Sequence, residues 1–198
     1  MKKSVIYIHG KGGSPAEADH YAPLFPEYDV IGFDYRSETP WAAKSEFTEY
    51  FDSVSHRYDS VSVIANSIGA FFTMSADISA RIEKAYFISP IVDMEKLITD
   101  MMSWAGVSEN ELNEKGEIPT SFGETLSSDY LRYVRDNPIK WNIPTHILYG
   151  EADDLTSFGT VSSFAANIGA SLTVMPGGEH WFHTDEQMEF LDKWIKSV

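Results

Sequence analysis

Three residues distant in sequence, Ser67, Asp153 and His180, carry the side chains that nucleophilic acyl transfer needs, and each stands in a loop that follows an apolar run. A serine hydroxyl is a poor nucleophile at neutral pH and needs a base with a pKa near 7 within hydrogen-bond reach, which an imidazole supplies. A carboxylate on the far side of that imidazole fixes its tautomer and stabilises the imidazolium. The tetrahedral oxyanion needs donors already in place, and the backbone N–H groups of Lys11 and Ile68 are the candidates.

Ser67 is the most constrained of the three. It lies in Ala65-Asn66-Ser67-Ile68-Gly69, after the apolar run Val61-Ser62-Val63-Ile64 and before a helix-forming stretch. A serine between small residues at a sharp strand-to-helix turn is the setting of a nucleophile elbow, where larger flanking side chains would collide with the neighbouring strand and helix. A plain helix N-cap is the competing reading of the same pentapeptide.

The elements around these residues alternate strand and helix. Expected strands are Val5–Ile8, Asp29–Tyr35, Val61–Ile64, Ala85–Ile88, Ile143–Tyr149 and Ser171–Val174. Helices are expected over Ala16–Leu24, Trp41–His56, the stretch after Ser67, Phe158–Ile168 and Asp185–Lys196, with Trp41, Phe47, Tyr50, Phe51 and Val54 along one face. The pattern predicts an α/β fold, a mainly parallel sheet of about six strands with helices on both faces. Every loop leaving such a sheet at the strand C-termini lies on one edge, so Ser67, Asp153 and His180 can converge there. Their order in the chain matches that architecture.

The alternation breaks from Ile91 to Trp141. Met94, Leu97, Ile98, Met101, Met102 and Trp104 suggest an amphipathic helix, followed by a polar stretch through Glu117 and a second helix near Asp129–Val134. Residues 91–141 are read as a lid insertion within a single domain, 1–198, with Met94, Leu97 and Met101 as candidate walls of an apolar pocket. Trp181, beside His180, is a fourth pocket candidate; with Phe182 it could instead seal the last helix.

The loop His9-Gly10-Lys11-Gly12-Gly13-Ser14 admits a phosphate-binding reading, but Lys11 precedes the paired glycines where that motif places lysine after them. An oxyanion loop fits better, with His9 bracing it. Asp154 rivals Asp153 as the acid, and His183 rivals His180 as the base. Asp34 and Arg36 suggest an ion pair supporting the cleft.

Composition narrows the classes. With 198 residues and a formal net charge of −15, the chain fits one domain repelled by nucleic acid and anionic membranes. The absence of cysteine excludes disulfides and a thiolate nucleophile. No histidine cluster suggests a metal, and no cofactor is expected. Met1-Lys2-Lys3 precedes an apolar run too short for a signal segment, so a cytoplasmic protein is expected.

On these residues the sequence resembles the α/β-hydrolase superfamily, in its small, single-domain, esterase-like bacterial form. The resemblance runs from His9-Gly10 through Ala65–Gly69 and Gly150-Glu151-Ala152-Asp153 to Gly178-Glu179-His180. It implies that Lys11 and Ile68 supply the oxyanion donors and that Asp153 is the acid. Ala65 stands where glycine is usual, and the usual leading antiparallel strands are missing. The implied function is a serine hydrolase working through an acyl-enzyme, a carboxylesterase on small to medium uncharged acyl substrates. A thioesterase, amidase or acyltransferase would use the same three residues, and a non-catalytic ligand-binding homologue is the reading from another class.

Overall fold

Val5, Ile6, Tyr7 and Ile8 are consecutive and all fully buried, as a strand covered on both faces requires. In the computed structural model, which describes residues 2–198, they form β1 (Lys3–Ile8). The chain continues through α1 (Ala18–Tyr21), flanked by 3-10 turns at Pro15–Glu17 and Ala22–Leu24, to β2 (Asp29–Gly32) and α2 (Pro40–Ser55). β3 (Ser60–Asn66), α3 (Ile68–Ser75) and β4 (Lys84–Ile88) follow. Next come α4 (Met94–Ala105), α5 (Glu109–Lys115), β5 (Glu117–Pro119), β6 (Thr125–Ser127) and α6 (Ser128–Asp136). β7 (Thr145–Gly150), α7 (Phe158–Ile168), β8 (Ser171–Met175) and α8 (Asp185–Ser197) complete the chain.

The chain divides into two compact units, one running to Val92 and resuming at Lys140, the other Asp93–Ile139. In the first, six strands pair in the order β2-β1-β3-β4-β7-β8, every pair parallel. Alternate side chains serve opposite faces. Val5, Tyr7, Ile64, Tyr86 and Leu148 pack with Tyr21 of α1 and Leu191, Trp194 and Ile195 of α8. Phe47 of α2 meets Phe33 at 4.9 Å and Phe72 of α3 at 6.3 Å between ring centroids.

Two expectations need correction here. Trp41 does not lie on the buried face of α2; it is 42% exposed, while Pro40, Ala43, Phe47, Phe51 and Val54 are buried. At about 100° per residue Trp41 stands roughly 120° from Phe47, and Pro40 takes the inward position at the first turn. The second strand also ends at Gly32, short of Tyr35. A Cβ on Gly32 would lie 1.9 Å from the carbonyl oxygen of Pro15, so the backbone of the turn at Pro15 crosses the strand there. Phe33 still donates its N–H to Tyr7 O at 2.9 Å.

In the unit Asp93–Ile139, α4 and α6 match the two expected helices, but the polar stretch between them is not irregular. Ser108 accepts the Glu111 N–H at 3.2 Å and caps α5, and β5 pairs antiparallel with β6. Arg135 ties the three helices together, reaching Glu95 at 2.7 Å and Glu109 at 2.6 Å. Among the described residues no helix is long and apolar enough to cross a membrane.

Candidate active site

Ser67 lies between β3 and α3 with φ 49° and ψ −119°, a conformation that costs a non-glycine residue on the order of 1–3 kcal/mol. Its side chain makes no cap bond to the helix, so the N-cap reading fails. The turn is held from outside instead. The Ser67 N–H donates to Ile88 O at 3.0 Å, and the Ile91 N–H donates to Ser67 O at 3.2 Å. The small residue at the end of the pentapeptide is obligatory: a Cβ on Gly69 would stand 2.4 Å from His9 O and 2.9 Å from Ile8 O.

The two other candidates meet Ser67 directly. His180 Nε2 is 2.8 Å from Ser67 Oγ, and His180 Nδ1 is 2.7 Å from Asp153 Oδ2. The rivals fall away on geometry. Asp154 is exposed, and His183 stacks on Trp181 while its Nδ1 faces Trp181 O at 2.8 Å.

The Asp153 side chain is fully shielded from solvent. Burial pushes its carboxyl up, but the hydrogen bond and charge of His180 and the N–H groups of Thr156 and Leu155 outweigh burial and hold it below the usual carboxylate range. Oδ1 accepts both N–H groups at 2.9 Å, while Oδ2 also accepts the Thr156 hydroxyl at 3.1 Å. Sequence reasoning missed Thr156. Its signal was the Asp-x-x-Thr spacing, in which an aspartate caps the backbone two and three residues on. Thr156→Val removes one donor from Oδ2 and is expected to lower stability by about 1–2 kcal/mol, read by urea denaturation at neutral pH.

The loops bearing Asp153 and His180 approach each other through glycines. A Cβ on Gly150 would stand 2.4 Å from Gly178 O and 2.5 Å from Glu179 O, both main-chain atoms. The Ala152 N–H donates to Gly178 O at 2.8 Å, locking the two loops together. Gly150→Ala must therefore push the His180 loop outward. We expect it to cost about 1–3 kcal/mol by thermal melting. An ångström of displacement would also take His180 Nε2 out of hydrogen-bond reach of Ser67 Oγ.

The glycine loop abuts the same serine: a Cβ on Gly10 would meet Ser67 Cβ at 3.3 Å. Its entrance is braced by His9, whose ring stacks on Tyr35 at 4.3 Å and whose carbonyl accepts the Tyr35 hydroxyl at 2.8 Å. A capping box between Ser14 and Glu17 fixes its exit. Glu17 also accepts the Tyr7 hydroxyl, which burial keeps protonated by pushing its pKa far up, and Tyr7 in turn accepts Asn66 Nδ2 at 2.8 Å. This chain links the residue before Ser67 to the end of the glycine loop. Ile68 opens α3, where an N–H has no acceptor within the helix, and Lys11 follows Gly10.

The remaining candidates separate. Met94, Leu97 and Met101 share one face of α4 in the unit Asp93–Ile139, with Met94 and Leu97 buried. Trp181 is 70% exposed, whereas Phe182 is buried in the core with Leu191 and Trp194. Asp34 and Arg36 do pair, at 3.4 Å, but both are largely exposed, where such a pair contributes little.

No protein-family model and no curated protein matches the chain. Solved structures do. Est1E from Butyrivibrio proteoclasticus is 18% identical with a TM-score of 0.74, over 99% of this chain and 86% of that one. Alpha/beta hydrolase domain-containing protein 10 from mouse is 16% identical with a TM-score of 0.77, over 98% and 88%. A soluble variant of monoglyceride lipase from Saccharomyces cerevisiae is 13% identical with a TM-score of 0.63, over 100% and 87%. With its parallel sheet in this strand order, its strained Ser67 turn and this likeness over nearly its whole length, the chain has the α/β-hydrolase fold.

Proposed function

We propose that the protein is a serine hydrolase in which Ser67, His180 and Asp153 act as a catalytic triad through an acyl-enzyme. The observation that carries this reading is the unbroken line of contacts from Ser67 Oγ to His180 Nε2 at 2.8 Å and from His180 Nδ1 to Asp153 Oδ2 at 2.7 Å. Asp153 accepts a hydrogen bond from His180 Nδ1–H, which keeps that proton on Nδ1 and leaves the Nε2 lone pair facing the hydroxyl.

Ser67 Oγ attacks the substrate carbonyl carbon while its proton passes to His180 Nε2. The negative oxygen of the tetrahedral intermediate is received by the N–H groups of Ile68 and Lys11. Collapse breaks the bond to the leaving alcohol, which takes the proton from Nε2. Water then repeats the sequence on the acyl-enzyme, giving its proton to Nε2 and releasing the acid as the proton returns to Ser67 Oγ.

The substrate class that fits best is a carboxylic ester with a small to medium uncharged acyl group. A net charge of −15 disfavours anionic substrates, which leaves uncharged acyl groups as the better fit. Intact-mass analysis after exposure to a fluorophosphonate tests the reading, together with p-nitrophenyl esters of increasing acyl length. A single adduct located on Ser67 and turnover highest for short or medium chains are expected. A folded protein that neither labels nor turns over any ester would overturn it.

A further inference from the structure

The loop from β8 to α8 holds an aromatic pair that the acyl-transfer chemistry leaves unused. Trp181, the residue after His180, is 70% exposed, more than any other large apolar side chain among the described residues. It is nevertheless held in place. Its ring stacks on the His183 imidazole with centroids 4.2 Å apart and planes 15° apart.

The support beneath that stack is built from the backbone outward. His183 Nδ1 donates to Trp181 O at 2.8 Å, and the His183 N–H donates to Gln187 Oε1 at 3.0 Å. Gln187 is buried and reaches Glu179 Oε2 at 3.3 Å. Phe182, between the two residues in sequence, is buried in the core, while Trp181 and His183 are both exposed. An indole ordered in this way has lost its side-chain freedom before any ligand arrives, so stacking on its open face meets a smaller entropic cost.

We propose that Trp181, backed by His183, is a stacking subsite for a planar, uncharged aromatic group on the alcohol side of the ester. This rests on the serine-hydrolase reading. In that mechanism His180 Nε2 hands its proton to the departing oxygen, so the alcohol half lies beside His180 while the acyl oxygen turns to Ile68 and Lys11. Trp181 is one residue along from His180, with Cα atoms about 3.8 Å apart, and the proposal sets a ring one carbon beyond the leaving oxygen against its indole. Glu179, 3.6 Å from His183, adds negative charge beside the pair and argues for a neutral ring over an anionic one.

The test compares benzyl acetate with cyclohexylmethyl acetate, which are close in size, differ in ring planarity and form the same acetyl-enzyme. The wild type is expected to favour the benzyl ester about tenfold in kcat/KM, as an aromatic stack allows. Trp181→Ala should bring the ratio near unity, and Trp181→Phe should restore much of it. Equal ratios in wild type and Trp181→Ala, with Ser67 still labelled by fluorophosphonate, would refute the subsite and leave the hydrolase reading intact. An aromatic preference that depends on Trp181 but appears only in the acyl half, phenylacetate over cyclohexylacetate, would overturn the alcohol-side placement. Titrating the Ser67→Ala protein with 2-naphthylmethanol keeps the subsite testable without turnover. Quenching of indole emission that disappears on adding Trp181→Ala supports it, and quenching unaffected by that change overturns it.

Discussion

Ser67→Ala is expected to abolish fluorophosphonate labelling and to lower ester turnover by about 10⁴- to 10⁶-fold, because the hydroxyl placed against His180 Nε2 is that of Ser67. The residue would retain a Cβ, so the turn keeps its shape and its strain, and the melting temperature should change little. A second variant tests the strain itself. Ser67 sits at φ 49°, which glycine adopts without penalty, so Ser67→Gly should be equally inactive yet more stable than Ser67→Ala by about 1 kcal/mol. An alanine variant that still labels would remove Ser67 as the nucleophile. A glycine variant no more stable than the alanine one would mean that the surrounding bonds to Ile88 and Ile91, and not local strain, dominate the energetics of the elbow.

Asp153→Asn should be nearly as damaging, about 10⁴-fold in kcat, while leaving the fold in place. The reason lies in how the amide must orient. Leu155 and Thr156 direct two N–H groups at Oδ1, so the asparagine oxygen is drawn to that position and its NH₂ takes the position of Oδ2. There it donates to His180 Nδ1, which moves the imidazole proton to Nε2 and presents a donor to Ser67 where an acceptor is needed. The same substitution changes acid sensitivity. Asp153 has a folded-state pKa below its unfolded value of about 3.9, so its contribution to stability is complete above that value and is lost as pH falls through the lower, folded one. The asparagine variant lacks this component. Its stability should therefore fall less steeply than that of the wild type below about pH 4, measured by urea denaturation across pH.

Much of this arrangement was legible in the sequence because its periodic signals are local. β-Branched and apolar runs at Val5–Ile8 and Ala85–Ile88 mark strands whatever surrounds them, and Ser157 before Phe158 or Thr184 before Asp185 marks a helix start through its own hydroxyl. Aromatic character alone would bury Trp41, but its angle on the helix relative to Phe47 turns it to solvent. Charged residues mask helix α5, although Ser108 and Glu111 carry the capping pattern that starts it. The β5–β6 ladder was harder. Its strands are short, and their pairing is a relation between Glu117–Pro119 and Thr125–Ser127 that neither segment states alone.

By itself the sequence determined that Ser67, Asp153 and His180 follow strands, and that in a parallel sheet such loops share an edge. Those conclusions need only local pattern and the handedness of crossovers. Only the tertiary structure decided that Asp153 and not Asp154, and His180 and not His183, enter the line to Ser67. Adjacent residues in a loop differ in direction through backbone angles that long-range contacts set. Here the decisive contact is the approach of Gly150 to the carbonyls of Gly178 and Glu179, residues far apart in the chain that no local propensity could bring together.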